Sequence, residues 1–201
     1  MPKIVDHNEV RQDIAAAAKT VITRDGLAGA TVKKIASAAG YSASIGQHYF
    51  ESRDDLLAFT FEHFARKDLE ELRNRTQAAA SVDDKLIAAI KCLFGSSSLA
   101  GDPDRAIMFL NYFASGMAIP MFRELQAQLY CEYLDTLTEI FDGCSQTKHF
   151  ELTPSEEAAF LLALSDGVAL AGVSAPAEAH RVRSALLKTL IIRYKVDLHD
   201  L

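Results

Sequence analysis

Apolar residues recur at three- and four-residue spacing through most of the chain, the period of a helix with one dry face. Alternating runs of β-branched residues are missing, and no Asn-Gly or Asp-Gly hairpin turn separates two such runs, so an all-α protein is expected. A first helix is predicted from about Glu9 to Arg24, with Ile14, Ala17, Ala18, Val21 and Ile22 on one stripe and Gly26 just past its end. Thr31 can cap a short helix, "VKKIASAA", that stops at Gly40, and Ser42 can cap another ending near Phe50. Ser52 with Asp55 reads as a capping box opening a long helix to about Arg75. Ser81 with Asp84 opens a helix that ends at Gly95, and Asp102-Pro103 opens one that reaches about Gly116. The pattern resumes from Pro120 to Phe141. Thr153-Pro154-Ser155-Glu156 then joins a cap, a proline and a capping-box acid ahead of a helix to about Val173, and a last helix starts at Pro176. "SLAGDP" is the expected flexible surface segment, and neither a repeat nor a low-complexity tract interrupts the series.

Composition narrows this picture. The 201 residues suit one large domain or a small one joined to a larger one. The 49% apolar content is spread through amphipathic segments, without an uninterrupted apolar run near the roughly 20 residues that a membrane span needs. "MPKIVDHNEVRQDI" carries acids early and has no hydrophobic stretch followed by a small-residue cleavage site, so a cytoplasmic address without a membrane partner is expected. Cys92, Cys131 and Cys144 form no CxxC pair and are odd in number. They signal neither a disulfide framework nor zinc, and are read as buried thiols. The net charge of −6 is unevenly placed: residues 1–51 hold six Lys/Arg against five acids, the rest 15 against 22. A near-neutral head on an acidic body suits a head that meets a polyanion.

Two short helices joined by a tight turn at Gly40 have the layout of a helix-turn-helix, whose first helix braces on the DNA backbone while the second enters the major groove. Ile35, Ala36 and Ala39 offer small apolar contacts for that packing, and glycine supplies a turn conformation that a side chain would oppose. The second helix presents Ser42, Ala43, Ser44, Gln47 and His48 outward; these can bond base edges and phosphates, and Ala43 can meet a thymine methyl. Spacing alone fits an αα-corner of a helical enzyme as well.

The residues themselves go further. "ATVKKIASAAGYSASIGQHYFESRDDLL" resembles the DNA-binding end of TetR-family repressors, with Thr31, Ala36, Gly40, Tyr41, Ser42, His48-Tyr49-Phe50, Arg53 and Leu56 on that family's pattern over about the first 56 residues. The resemblance implies contacts to DNA from Thr31 and Lys33 on the brace helix, from Ser42, Ala43, Ser44, Gln47 and His48 in the groove, and from Tyr49 and Arg53 to phosphates. Two positions depart from it. Gln47 stands where the family usually has a phosphate-contacting tyrosine, and Gly46 where it usually has a buried apolar residue. A glycine inside a helix costs up to about 1 kcal/mol, so it is expected to serve a close approach, with Ile45 taking over the packing.

The resemblance implies a helix-turn-helix domain over residues 1–52 and a helical ligand-binding and dimerisation domain over 53–201. "SEEAAFLLALSDGVALAGV" and "ALLKTLII" are apolar or small around nearly their whole circumference, as expected of helices that pack against the core on one side and a second copy on the other. Phe160, Leu164, Gly167, Val168, Ala171, Val182, Leu186 and Leu190 are assigned to that dimer face. "ALSDGVAL" is also similar to the corresponding segment of betaine-inhibitor-type TetR repressors. Phe64 with Met108, Phe109, Asn111, Tyr112 and Phe113 are the candidate lining of a site for a small organic ligand, being aromatic with a few polar groups. Asp166, inside an apolar helix, is left open between a ligand anchor, an intersubunit bond and a solvated acid. A quaternary ammonium would favour a tryptophan cage, and the chain has none.

Enzymatic readings find little footing. None of the six histidines has a glutamate three residues before it, as a carboxylate-bundle metal site requires, and GxGxxG, P-loop and HExxH patterns are absent. No cofactor, metal or catalytic residue is expected. The expected function is a dimeric repressor that binds a palindromic double-stranded operator and is released by a small organic effector.

Overall fold

The computed structural model describes residues 7–95, 98 and 100–198. Among them are nine helices and no strand: α1 (His7–Gly29), α2 (Val32–Ala38), α3 (Ala43–Tyr49), α4 (Arg53–Gln77), α5 (Val82–Phe94), α6 (Pro103–Gly116), α7 (Pro120–Ser145), α8 (Pro154–Ser174) and α9 (Pro176–Tyr194). They form two compact units: residues up to Ala65 with Ile107–Gln126, and Arg66–Ala106 with the residues from Ala127 onward. The division differs from the expected 1–52 and 53–201 because the start of α4, the end of α6 and the start of α7 share a core with the first three helices.

In the first unit, Ile14, Ala18, Val21 and Ile22 of α1 pack with Ile35, Phe50, Leu56, Leu57 and Phe61, and with Met108, Tyr112 and Phe122. At Gly26, φ 71° and ψ 167°, the helical backbone breaks as expected of a residue past a helix end, and one further short turn to Gly29 follows the kink. The Arg11 guanidinium lies 4.2 Å from the centre of the Phe59 ring and 5.1 Å from that of Phe50, tying α1 to the start of α4 by cation–π attraction. At the head of α4 the Ser52 hydroxyl accepts from the Asp55 N–H at 3.0 Å. The Asp55 carboxylate, however, accepts from the Glu51 N–H at 3.0 Å, one residue before the one a capping box uses.

In the second unit, Leu72, Leu86, Ile90, Phe94, Leu137, Phe141, Leu161, Leu190 and Tyr194 build the core. Thr153 completes its capping box: Glu156 accepts from the Thr153 N–H at 2.8 Å, and the Thr153 hydroxyl accepts in return from the Glu156 N–H at 3.4 Å. α8 is long and apolar enough to cross a membrane by length and composition. Its buried face, Ala158, Leu161, Leu162, Val168 and Ala169, is spent on the core instead. On that face sits Glu157, fully buried, accepting from Arg193 Nη2 at 2.6 Å, Arg193 Nε at 3.1 Å and the Tyr194 hydroxyl at 2.7 Å. An isolated buried carboxylate would be costly, and three charge-assisted donors from α9 are what make it tolerable.

Two smaller expectations change. Of the three thiols only Cys144 is buried; Cys92 is half-buried and Cys131 exposed. The "SLAGDP" segment, of which Leu99 lies outside the described residues, is anchored rather than free at Ser98, whose buried hydroxyl donates to the Gly95 carbonyl at 2.6 Å.

Replacing Glu157 by alanine leaves the half-buried Arg193 guanidinium with Glu151 alone at 3.7 Å and takes the acceptor from the buried Tyr194 hydroxyl, and is expected to cost about 2–3 kcal/mol, with Glu157→Gln costing less. Equilibrium denaturation of both variants measures the difference.

Candidate nucleic-acid interface

α2 and α3 are each seven residues long, too short to persist without support. The Thr31 hydroxyl accepts from the Lys34 N–H at 3.2 Å and the Ser42 hydroxyl from the Ile45 N–H at 3.3 Å, so each helix starts on a side-chain cap. Between them, Gly40 takes φ 83°. Its N–H reaches the Ser37 carbonyl at 3.1 Å while the Tyr41 N–H reaches back to Ala36 at 2.8 Å, the paired bonds of a Schellman turn. The Tyr41 hydroxyl then donates to the Asp13 carboxylate at 2.8 Å and pins the turn to α1.

The spacing of the two helices is set at Gly46. A Cβ there would stand 2.8 Å from Ala36 Cβ and 3.1 Å from Val32 Cγ1, so only a hydrogen fits. This is the close approach expected of it. Ile45 does not take over the packing, as it is 38% exposed. With the α3 backbone itself against α2, the residues flanking Gly46 turn outward. Ser42, Ser44, Gln47 and His48 are exposed, Ala43 is half-buried, and the Ser42 and Ser44 hydroxyls lie 2.8 Å apart.

Around this face the other candidates divide. Thr31 and Lys33 are exposed. Lys34 is held by Asp25 at 3.3 Å. Arg24 chiefly, and Lys34 in addition, keep the Asp25 carboxyl well below the usual range. Tyr49 is half-buried, with its hydroxyl 3.0 Å from Nδ1 of His7, a residue that no motif had marked. Arg53 turns back into the protein: its Nε donates to the Ala30 carbonyl at 2.8 Å and its Nη2 to the Leu27 carbonyl.

The residues expected to line a ligand site lie in this same unit, and several are its core. Met108 and Tyr112 are 4% exposed, and Tyr112 stacks on Phe61 at 4.1 Å. Phe64 packs against that cluster. Phe109 and Phe113 meet at 5.9 Å with Phe113 half in solvent, and the Asn111 amide donates to the Ile107 carbonyl at 2.8 Å. An aromatic stripe at helical spacing has here served packing.

The second unit holds a different set of polar groups, unmarked by motif except for Asp166. Burial is the first cause that pushes the Asp68 carboxyl up to about 6, even though it is paired with Arg105. Burial alone pushes Asp166 to about 6. Tyr133, half-buried and with its phenol raised far above the ordinary value chiefly by that burial, feels the charges of Asp68, Arg105 and Asp166. Among the described residues no three His, Cys, Asp or Glu side chains gather as a metal site.

Of the residues assigned to a dimer face, Val168 and Leu190 are fully buried in this chain's own core, since they fall on the faces of α8 and α9 turned towards it. Phe160, Leu164, Val182 and Leu186 are partly buried against that core, Ala171 is intermediate and Gly167 exposed. Leu170 is 51% and Ile192 77% exposed, and a Cβ added at Gly167 or Gly172 would meet nothing within 4 Å.

Comparison with known proteins agrees with this architecture. The family described as bacterial regulatory proteins, tetR family, matches residues 14–58. The HTH-type transcriptional regulator BetI of Paraburkholderia phytofirmans is 33% identical over 128 residues, 63% of this chain and 64% of that protein, so the match spans just under two thirds of this relative. BetI of Burkholderia cenocepacia is 30% identical over 179 residues, 87% of this chain and 88% of that one. The solved structure of the transcriptional regulator FadR from Bacillus subtilis in complex with stearoyl-CoA has the same fold, with a TM-score of 0.72 at 23% identity over 90% of this chain and 97% of its own.

Two outcomes follow from the geometry. Gly46→Ala is expected to lower stability by about 1 kcal/mol although alanine favours a helix by a similar amount, because overpacking costs about 1–3 kcal/mol. Ala36→Gly in the same chain should return part of the loss in thermal unfolding. Asp166, with a folded value near 6 against an ordinary 3.8, binds its proton more tightly when folded, so its stability penalty builds as pH rises between those values. Asp166→Asn should therefore stabilise by about 1–2 kcal/mol at pH 7, with the gain gone near pH 4.

Proposed function

Because the chain belongs to the TetR family of bacterial regulatory proteins, we propose that it is a cytoplasmic, non-enzymatic transcriptional repressor that binds a palindromic operator as a homodimer and leaves it when a small organic effector binds. The observation that carries the proposal is α3, a helix whose one buried residue is Gly46 and whose Ser44, Gln47 and His48, with the capping Ser42, face solvent. Such a surface has little to do in a protein interior and matches the donors and acceptors on base edges. Ser42, Ala43, Ser44, Gln47 and His48 read the groove. Thr31, Lys33 and Tyr49 fix the register on the backbone, the division of labour usual in DNA recognition.

Dimerisation is supported by α8 and α9. Exposed Leu170 and Ile192, with open space at Gly167 and Gly172, leave an apolar face on which a second copy packs closely. Two heads then meet half-sites about 34 Å apart or a multiple of it. For the effector, the half-buried polar groups of the second unit are better placed than the aromatic core of the first. Asp68, Arg105, Tyr133 and Asp166 are each partly withdrawn from water, and Tyr133 feels the charges of the other three, as suits a site that swaps hydration for a ligand. Stearoyl-CoA in the Bacillus subtilis FadR structure supports an organic effector as a class.

The test is binding of the purified protein to the DNA upstream of its own gene, across a salt series. A shifted band from a two-fold complex is expected. Lys33→Ala should weaken it and reduce the salt slope by about one, the signature of one lost phosphate contact; a protein that shifts no duplex at any salt is not this regulator.

A further inference from the structure

Arg53 opens α4, yet its side chain is spent on another element. The Nε donates to the Ala30 carbonyl at 2.8 Å, Nη2 donates to the Leu27 carbonyl, and Nη1 lies 3.3 Å from the Asp54 carboxylate. Leu27 belongs to the final turn of α1 beyond the Gly26 kink, and Ala30, fully buried, is in the link between α1 and α2. The Leu27 carbonyl also accepts from the Ala30 N–H at 3.2 Å, so the turn between α1 and α2 is closed on itself and presents both carbonyls to the start of α4. The planar guanidinium fork of Arg53 spans these two carbonyls where a lysine ammonium, a point charge, lacks that paired geometry.

We propose that Arg53 is a positioning residue: it clamps the end of α1 and the entry to α2 onto the start of α4, and so sets the pose of α2 and α3, rather than serving as a ligand of a DNA phosphate. The inference rests on the reading that α3 meets DNA. With Nε, Nη2 and Nη1 each already engaged by Ala30, Leu27 and Asp54, a phosphate would have to draw the guanidinium away from these acceptors, and releasing it would unseat α2. The Thr31 cap of α2 follows directly on Ala30, so slack at the clamp is passed to the brace helix and, through the contact of Gly46 with Ala36 and Val32, to α3.

The experiment compares the full chain with Arg53→Gln and Arg53→Lys, at a temperature where circular dichroism shows all three folded. Binding to the upstream duplex is read across a salt series, and amide hydrogen exchange is read along the chain. Arg53→Gln should weaken binding about tenfold, the scale of one lost charged hydrogen bond, with the salt slope unchanged. Arg53→Lys should recover part of that affinity. Exchange should quicken in α2 and α3 and stay as in the wild type in α8 and α9. A slope reduced by about one makes Arg53 a phosphate ligand and overturns the proposal, as does unchanged affinity with unchanged exchange. Should the wild type shift no duplex, the regulator reading falls by itself. Exchange then still decides the clamp: faster exchange in α2 and α3 keeps it, wild-type exchange removes it.

Discussion

Everything the candidate interface offers depends on how closely two short helices can approach. The space left for a Cβ at Gly46, 2.8 Å from that of Ala36, is too small for any other residue without displacement. Because backbone rather than side chain makes the contact, α3 spends little else on attachment than Tyr49, which packs on the core and bonds His7. Caps at Thr31 and Ser42 and the left-handed Gly40 turn hold the pair in register around that point. A bulky apolar residue at position 46 would anchor a helix by filling space; here anchoring is achieved by the absence of a side chain.

The second unit solves the opposite problem. Its helices are apolar enough to slide past one another, since α8 offers apolar residues around most of its circumference. Dispersion and hydrophobic burial have no direction, whereas Glu157 with its three donors from Arg193 and Tyr194 does. The ion pair thus specifies the register of α8 on α9, and with it which residues of the two helices are turned to the outside. Ser165, donating to the Leu93 carbonyl at 3.2 Å, and Arg183, donating to the Phe94 carbonyl at 2.8 Å, extend this directional bonding to the end of α5.

Local chemistry was legible in the sequence; tertiary partnership was not. Helix starts at Thr31, Ser42, Ser81 and Thr153 are caps in the structure because a hydroxyl can reach an N–H three residues on whatever the rest of the chain does. The exposed face of α3 followed from the same local pattern. What a buried stripe packs against is a long-range matter, and there the expectations parted from the structure. Tyr112 and Met108 joined the core of the first unit, Val168 and Leu190 that of the second, and Arg53 found carbonyls 23 and 26 residues earlier in the chain. Periodicity reports that a side chain is dry, never which neighbour keeps it so. The polar groups at Asp68, Arg105 and Tyr133 had no motif because they come from separate helices.

The bond between Tyr49 and His7 carries a practical consequence for anyone handling the molecule. His7 begins α1, and through that bond its ring steadies a tyrosine at the end of α3. A purification tag fused in front of it would lie close to the α3 face that is proposed to meet DNA. Affinity handles belong on the opposite terminus.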